Sequence, residues 1–347
     1  MDTESPAGRS KSRVTLHDVA RESGVSKSTV SRMLDERLPQ SDSPKARHVR
    51  EVALKLGYVR DLSAASLRRG STGQIGVIVP RLTDTVMAML YESLAKAAAQ
   101  NGQFALVATT DENPDAGRAA AEALIRRGVD GLILATARTD DHFTDELQER
   151  GVPFVLALRH NGSSPASIGD DRLGGYLATR HLLDLGHKRI GLITGPSYAT
   201  SAQGRVEGYR RAMEEAGMAV APELVAPSSF GIESGEEVAS ALLQLPDRPT
   251  AIFAVNDNTA LGALSAIAKA GLSVPDDVSL VGYNDIPIVS RLPVPLTSVR
   301  VPFDQIAASA LRMLSAADPH QGTAVATPTL IPRKSTAALT TSPRKSS

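Results

Sequence analysis

The chain has no cysteine and no tryptophan. Without cysteine it forms no disulfide, offers no thiol nucleophile and holds no cysteine-ligated metal. Aromatic residues make up 3% of the chain, which argues against an aromatic ligand cage or a base-stacking platform. No run approaches the ~18 apolar residues of a membrane-spanning helix, and the opening MDTESPAGRSKSR has no apolar segment of a secretory signal. The expectation is a soluble cytoplasmic protein without a membrane partner. Net charge is missing too, with 38 Lys+Arg against 38 Asp+Glu. That balance hides an asymmetry: residues 1–73 hold fourteen Lys/Arg and nine Asp/Glu, a surplus of five cations, and the rest holds 24 and 29. A basic front on an acidic body points to an N-terminal contact with a polyanion. A length of 347 residues predicts two or three domains with ample core.

What is there begins with VTLHDVARESGVSKSTVSRML, residues 14–34. Thr15 suits a helix N-cap, Leu16, Val19 and Ala20 share one face, and Gly24 stands where a tight or left-handed turn ends the helix. Ser26 suits the cap of a second helix, with Val30 and Met33 inward and Lys27, Ser28, Ser31 and Arg32 outward. Helix, Gly turn, helix is the helix-turn-helix pattern, whose second helix enters the DNA major groove. An ordinary helical hairpin has the same spacing; the outward hydroxyls and cations, suited to phosphates and base edges, favour the DNA reader.

Val49, Val52, Ala53 and Leu56 mark a third amphipathic helix, closing a headpiece over 14–58. Residues 1–13 read as a disordered tail or a minor-groove arm. Residues 59–72 read as a plain linker or a short helix that needs a partner to form. From Gln74 the grammar changes. Apolar runs at 75–80, 104–110, 130–136, 153–158, 189–195, 251–257 and 279–285 alternate with amphipathic stretches. That alternation predicts parallel sheets covered on both faces. Ligands bind beyond the carboxyl ends of such strands, which makes NDN (256–258) and YND (283–285) pocket candidates. Residues 339–347 read as a disordered tail with no leucine heptad before it, as expected for a dimer rather than a tetramer.

The order and spacing of TLHDVARESGVSKSTVSRML, LGYVRD…LRRG with IGVIVP, GVDGLIL, HLLDLGHKRIGLITG, GRVEGY, AVNDNTALGAL, GLSVPDDVSLVGYND and LTSVRVPF resemble the lactose/galactose-repressor (LacI/GalR) family of bacterial transcription regulators, from about Val14 to Ala337. The resemblance implies an all-α helix-turn-helix headpiece, a hinge helix over 59–72, and an α/β periplasmic-binding-protein-like body over 73–338. It implies two doubly wound parallel-sheet subdomains in that body, roughly 73–170 with 302–325 and 171–300 with 328–338. It further implies a homodimer on a pseudo-palindromic operator, with a sugar-like or related effector in the cleft between subdomains. No cofactor and no metal are implied.

Carried onto this sequence, Lys27 and Ser28, with Arg32 one turn later, match the base-reading positions; a lysine there favours guanine O6 and N7. Ser26, Thr29 and Ser31 match backbone contacts or caps, and for Ser26 both roles can hold together. Thr15 and His17 are further phosphate candidates. Leu67 matches the hinge leucine that wedges into the minor groove, and it equally suits packing between two hinge helices. Arg60 and Asp61 depart from the family's frequent Pro and Asn. In the cleft, Arg205 matches the effector-binding arginine and Phe230 the stacking aromatic, with Ser201, Asn256 and Asp257 beside them; Asp257 is equally a candidate helix cap. Leu158 and Asn284 replace common aspartates, and Val86 and Met87 a common aromatic pair. Those departures predict a cleft that is less anionic and less suited to stacking, hence a less hydroxylated or more anionic ligand than a plain hexose. Two rivals remain: a sugar-binding protein without a regulatory role, opposed by the headpiece, and an enzyme, for which no nucleophile triad, phosphate loop or metal spacing exists.

Overall fold

The computed structural model describes residues 14–35, 41–59, 71–315 and 322–339. In it Thr15 opens α1 (Leu16–Ser23) through a reciprocal capping box with Asp18, and Gly24 closes it at a left-handed φ of 67°. Ser26 caps α2 (Lys27–Met33), its hydroxyl accepting from the Thr29 amide at 3.3 Å. Ser43 caps α3 (Pro44–Leu56). Val19, Ala20, Val30, Val49, Val52 and Ala53 form the buried core of this bundle, with Leu16, Val25 and Met33 packed around it. The expected tail 1–13, most of the hinge segment with Arg60, Asp61 and Leu67, and the tail 340–347 lie outside the described residues.

The chain divides after Thr72 into two units, and Gly73 starts the second. That unit holds two six-stranded sheets. The first is built from β1 (Gln74–Val79), β2 (Phe104–Thr109), β3 (Gly131–Leu134), β4 (Phe154–Ala157), β5 (Ala166–Gly169) and β11 (Thr323–Ala326), in the order β11-β5-β4-β3-β1-β2 and parallel throughout. The second takes β6 (Ile190–Thr194), β7 (Val225–Pro227), β8 (Ala251–Ala254), β9 (Ser279–Asn284), β10 (Thr297–Arg300) and β12 (Thr329–Ile331), in the order β12-β10-β9-β8-β6-β7. The two parallel sheets are as expected, with one exception: β12 runs antiparallel to β10. β12 follows β11 of the first sheet after two residues, so it enters the second sheet from the cleft, the end at which β10 leaves, and runs against it.

Helices α4 (Thr85–Gln100), α5 (Pro114–Arg126), α6 (Phe143–Glu149) and α11 (Phe303–Leu314) go with the first sheet; α7 (Asp171–Asp184), α8 (Thr200–Glu215), α9 (Ile232–Leu243) and α10 (Asp257–Lys269) go with the second. The backbone passes between subdomains three times: after β5, between β10 and α11, and between β11 and β12. The first and last passages are tied by the Asp170 amide donating to the Ala326 carbonyl at 2.9 Å. Three adjacent strands joining two lobes make a bending hinge. No helix among the described residues is long and apolar enough to cross a membrane.

The second subdomain depends on a close helix pair. A Cβ at Gly208 of α8 would stand 2.1 Å from the Arg172 carbonyl oxygen of α7, and one at Gly175 of α7 would stand 2.2 Å from the Arg205 carbonyl oxygen of α8. Backbone is in contact with backbone, so nothing there can swing aside. Gly208→Ala is expected to destabilise the body by about 1–3 kcal/mol or more, the cost of overpacking a close-packed interior. A thermal melt of the variant checks this; an unchanged midpoint would mean that the helices separate freely.

Candidate functional site

Between the two sheets, at the carboxyl ends of their strands, lies a cavity of about 310 Å³. The first subdomain contributes Arg81, Thr83, Asp84, Val86 and Met87 after β1, Glu112 after β2, and Leu158 and Arg159 after β4. The second contributes Ser201 and Arg205 from α8, Ser229, Phe230 and Glu233 around the start of α9, Asn256 and Asn258 around the start of α10, and Asn284 at the end of β9. The backbone is unusual here. Among the described residues the non-glycine positions with positive φ are Asp111, Glu112, Leu158, Phe230, Asn284 and Asp285. Four of them line the cavity and the other two adjoin it in sequence. Such conformations cost of order 1–3 kcal/mol each and persist where surrounding structure over-determines them, commonly at ligand sites.

Of the effector residues expected from sequence, Met87, Ser201, Arg205, Phe230, Asn256 and Asn284 meet in this one cavity. Arg205 is buried and braced: its Nε donates to Asp171 Oδ1 at 2.8 Å, its Nη1 donates to the Val255 carbonyl at 2.7 Å, and the guanidinium lies 3.8 Å from the Tyr283 ring centroid. Burial opposes its charge, and Asp171 and Tyr283 beside it together more than offset that. The Asp171 carboxyl is in turn pushed up by burial against the pull of Arg205. Asn256 caps α10, its Oδ1 accepting from the Thr259 amide at 2.8 Å while its Nδ2 donates to the Phe230 carbonyl at 3.0 Å. It therefore holds two walls of the cavity together.

Asp257 is the correction. It neither lines the cavity nor caps a helix, because Asn256 is the cap and Asp257 is the first residue of α10. It is fully buried and points away, accepting from the Ile286 amide at 2.8 Å and the Ser298 hydroxyl at 2.7 Å. It pins the segment after β9 to β10. The expected loss of carboxylates is also offset, since Asp84, Glu112 and Glu233 stand in the lining against Arg81, Arg159 and Arg205. Sequence reasoning passed over Asp84, Glu112, Arg159 and Asn258 as individual ligand candidates, although the strand-end rule applied to the first three as it did to NDN. Asp84 caps the start of α4 and accepts from Asn258 Nδ2 at 3.3 Å, a bond between the two subdomains; burial pushes its carboxyl up. On another rim Tyr198 enters from the second subdomain. Its carbonyl accepts from the Thr139 amide at 3.1 Å, and Arg138 lies 3.6 Å over its ring. Among the described residues no group of three or more His, Asp or Glu could hold a metal.

In the headpiece Thr15, Ser26, Lys27, Ser28 and Arg32 are exposed, and Thr29 and Ser31 are half-buried. Thr15 and Ser26 are committed to caps, and the Ser26 hydroxyl also contacts those of Ser28 at 3.0 Å and Thr29 at 2.8 Å.

A helix-turn-helix bundle followed by a two-lobed ligand-binding body defines a class of regulator that reads DNA and answers to a small molecule. The model for the lacI family of bacterial regulatory proteins matches residues 15–61, and that for a periplasmic binding protein-like domain matches residues 179–336. The HTH-type transcriptional regulator DegA of Bacillus subtilis is 32% identical over 338 residues, covering 95% of this chain and all of that protein. The HTH-type transcriptional repressor PurR of Haemophilus influenzae is 33% identical, covering 92% of this chain and 98% of that one. A lac repressor dimer bound to operator and an anti-inducer superposes with a TM-score of 0.82 at 27% identity, over 94% of this chain and all of that one. The chain belongs to the lacI family. It is a DNA-binding transcriptional regulator.

Asp257 yields a pH test. Burial pushes its carboxyl from the ordinary 3.8 up to about 7. Between those values the folded chain keeps a proton that the unfolded chain has released, so stability falls as pH rises through that window. The expected slope is up to about 1.4 kcal/mol per pH unit. In Asp257→Asn that component is absent. Denaturant titrations of both chains from pH 4 to 8 check this, and parallel pH profiles would contradict it.

Proposed function

We propose that the chain is a cytoplasmic repressor that binds a pseudo-palindromic operator as a homodimer, with a small polar effector in the cleft setting its grip on DNA. The observation that carries this reading is the cavity between hinged lobes, lined from both, in the same chain as an exposed α2 bearing Lys27, Ser28 and Arg32. Lys27 and Ser28 stand on the first turn of α2, the end of a recognition helix that meets base edges. Lys27 reads guanine; Arg32, one turn on, reads a base or a phosphate. Thr15, Ser26, Thr29 and Ser31 serve the backbone, Ser26 through the helix end that it caps. Leu67 serves as the hinge wedge or as packing between hinge helices. A dimer's two-fold axis repeats the half-site and gives the operator its palindrome.

For the effector, Arg205, Ser201, Phe230, Asn256 and Asn284 form the second lobe's side and Met87 part of the first lobe's. Asp257, buried behind the wall, lies outside the lining. Ligand binding acts on the operator only through a difference in affinity between lobe arrangements. Contacts such as Asp84 with Asn258 differ between an open and a closed cleft, and a ligand there changes their balance.

Selection of bound duplexes from a random library, followed by salt-titrated binding of the winner, tests this. The expected result is a palindromic winner whose affinity falls steeply with salt. Lys27→Ala is expected to lose about 1–3 kcal/mol on that duplex and to relax the preference for G at one position of each half-site. Failure to enrich any sequence would sink the reading.

A further inference from the structure

Arg159 is the most constrained cation in the cavity wall after Arg205. Its side chain is 5% exposed, and its partner is Glu112, also in the lining. The pair is two-pronged: Arg159 Nη2 donates to Glu112 Oε1 at 2.9 Å and Nη1 donates to Oε2 at 3.2 Å. This fork matches any carboxylate in the same plane. Glu112 reaches it from two successive residues in the left-handed region, Asp111 at φ 51° and Glu112 at φ 61°. The turn itself is held by backbone bonds, the Asp111 amide donating to the Pro80 carbonyl at 2.8 Å and the Asn113 amide to the Thr110 carbonyl at 2.9 Å, so it stays in place when the side chain moves. Arg159 also faces the other lobe, with its guanidinium carbon 5.6 Å from the Phe230 ring centroid and 5.8 Å from that of Tyr198.

We propose that Glu112 occupies Arg159 as an internal stand-in, and that the cleft takes a small acidic sugar whose carboxylate displaces it. This inference rests on the reading of the cleft as the effector site. The surrounding charges permit an anion. Arg205 is matched by Asp171, Leu158 and Asn284 are uncharged, and burial favours the neutral form of Asp84. Arg81 offsets Glu233 in formal charge across the lining, although its Nε also lies 3.7 Å from Asp111 Oδ1. Ser201, Ser229 and Asn258 offer hydroxyl and amide groups to the ligand's hydroxyls, and Phe230 offers a ring face. A ligand on Arg159 joins the first lobe's guanidinium to those groups of the second, which is the cross-lobe contact that a change of arrangement needs. Glu112, released, swings to the solvent side of the strand-end loop.

Calorimetric titration of the full chain with D-galacturonate and D-gluconate, beside D-galactose and D-glucose, tests this. The acids are expected to bind at least about tenfold more tightly than their neutral counterparts, as a charge-assisted fork requires. Glu112→Gln removes the competitor and is expected to tighten acid binding severalfold; Arg159→Gln is expected to abolish it, and Arg159→Lys to weaken it. Thermal melts confirm that each variant is folded. Neutral sugars binding as tightly as acids would overturn the proposal. So would a Glu112→Gln variant that loses the acid as Arg159→Gln does, or a chain that binds none of the four. Operator binding by the same preparations separates the two readings: if it persists while the acids fail, only the acidic-sugar assignment falls.

Discussion

The second lobe is organised by one buried cation. Arg205 leaves α8, pairs with Asp171 at the start of α7, donates to the carbonyl of Val255 beyond β8 and stacks on Tyr283 of β9. Three strand and helix ends are thereby held to one planar group. A buried ion pair contributes little net stability when set against an apolar replacement, because desolvation consumes most of the attraction. Its value here is geometric. The fork fixes directions that apolar packing leaves loose, and breaking it by removing one partner strands the other charge. The backbone contact of α7 with α8 through Gly175 and Gly208 is what lets Asp171 reach Arg205 at all.

The first lobe is organised differently. Its wall of the cavity is made of strand ends in strained backbone, Glu112 and Leu158, with Arg159 following. Contacts between the lobes among the described residues include polar ones, Asp84 with Asn258, Thr139 with Tyr198, and the His160 amide donating to Thr200 Oγ1 at 3.0 Å, beside the rings of Tyr198 and Phe230 against Arg138 and Arg159. Polar contacts of this kind exchange readily for water or ligand. The hinge strands, by contrast, are continuous backbone that bends without breaking. Rigid lobes, a flexible joint and exchangeable rim contacts give a ligand two arrangements to choose between.

Much of this was legible in the sequence. The caps at Thr15 and Ser26, the left-handed Gly24 and the faces of the three headpiece helices followed from local rules, because a small helical bundle is built from local contacts. The seven apolar runs correspond to β1, β2, β3, β4, β6, β8 and β9. The short strands β5, β7, β10, β11 and β12 have no such run and depend on the sheets they join, and the antiparallel placing of β12 is set by the hinge crossing. In the site, type and position at strand ends led to Asn256 and Asn284. What sequence did not reveal is direction. Asn256, Asp257 and Asn258 are consecutive, yet two face the cavity and the middle one is buried behind it, because Asn256 is still in extended backbone, where successive side chains turn to opposite sides, and the helix starts only at Asp257. Arg159 and Glu112 were missed for a similar reason: their meeting depends on two loops that only the folded sheet brings together.

A DNA-reading headpiece and a ligand cleft on one chain are expected to be coupled. That coupling is tested most directly by measuring the operator dissociation constant of the full chain across a panel of neutral and acidic sugars, and the sugar dissociation constant with and without operator. At least one sugar is expected to shift operator affinity, and operator to shift affinity for that sugar by the same factor, as linkage requires. A chain that binds its operator identically in the presence of every sugar that fills the cleft would contradict the coupling.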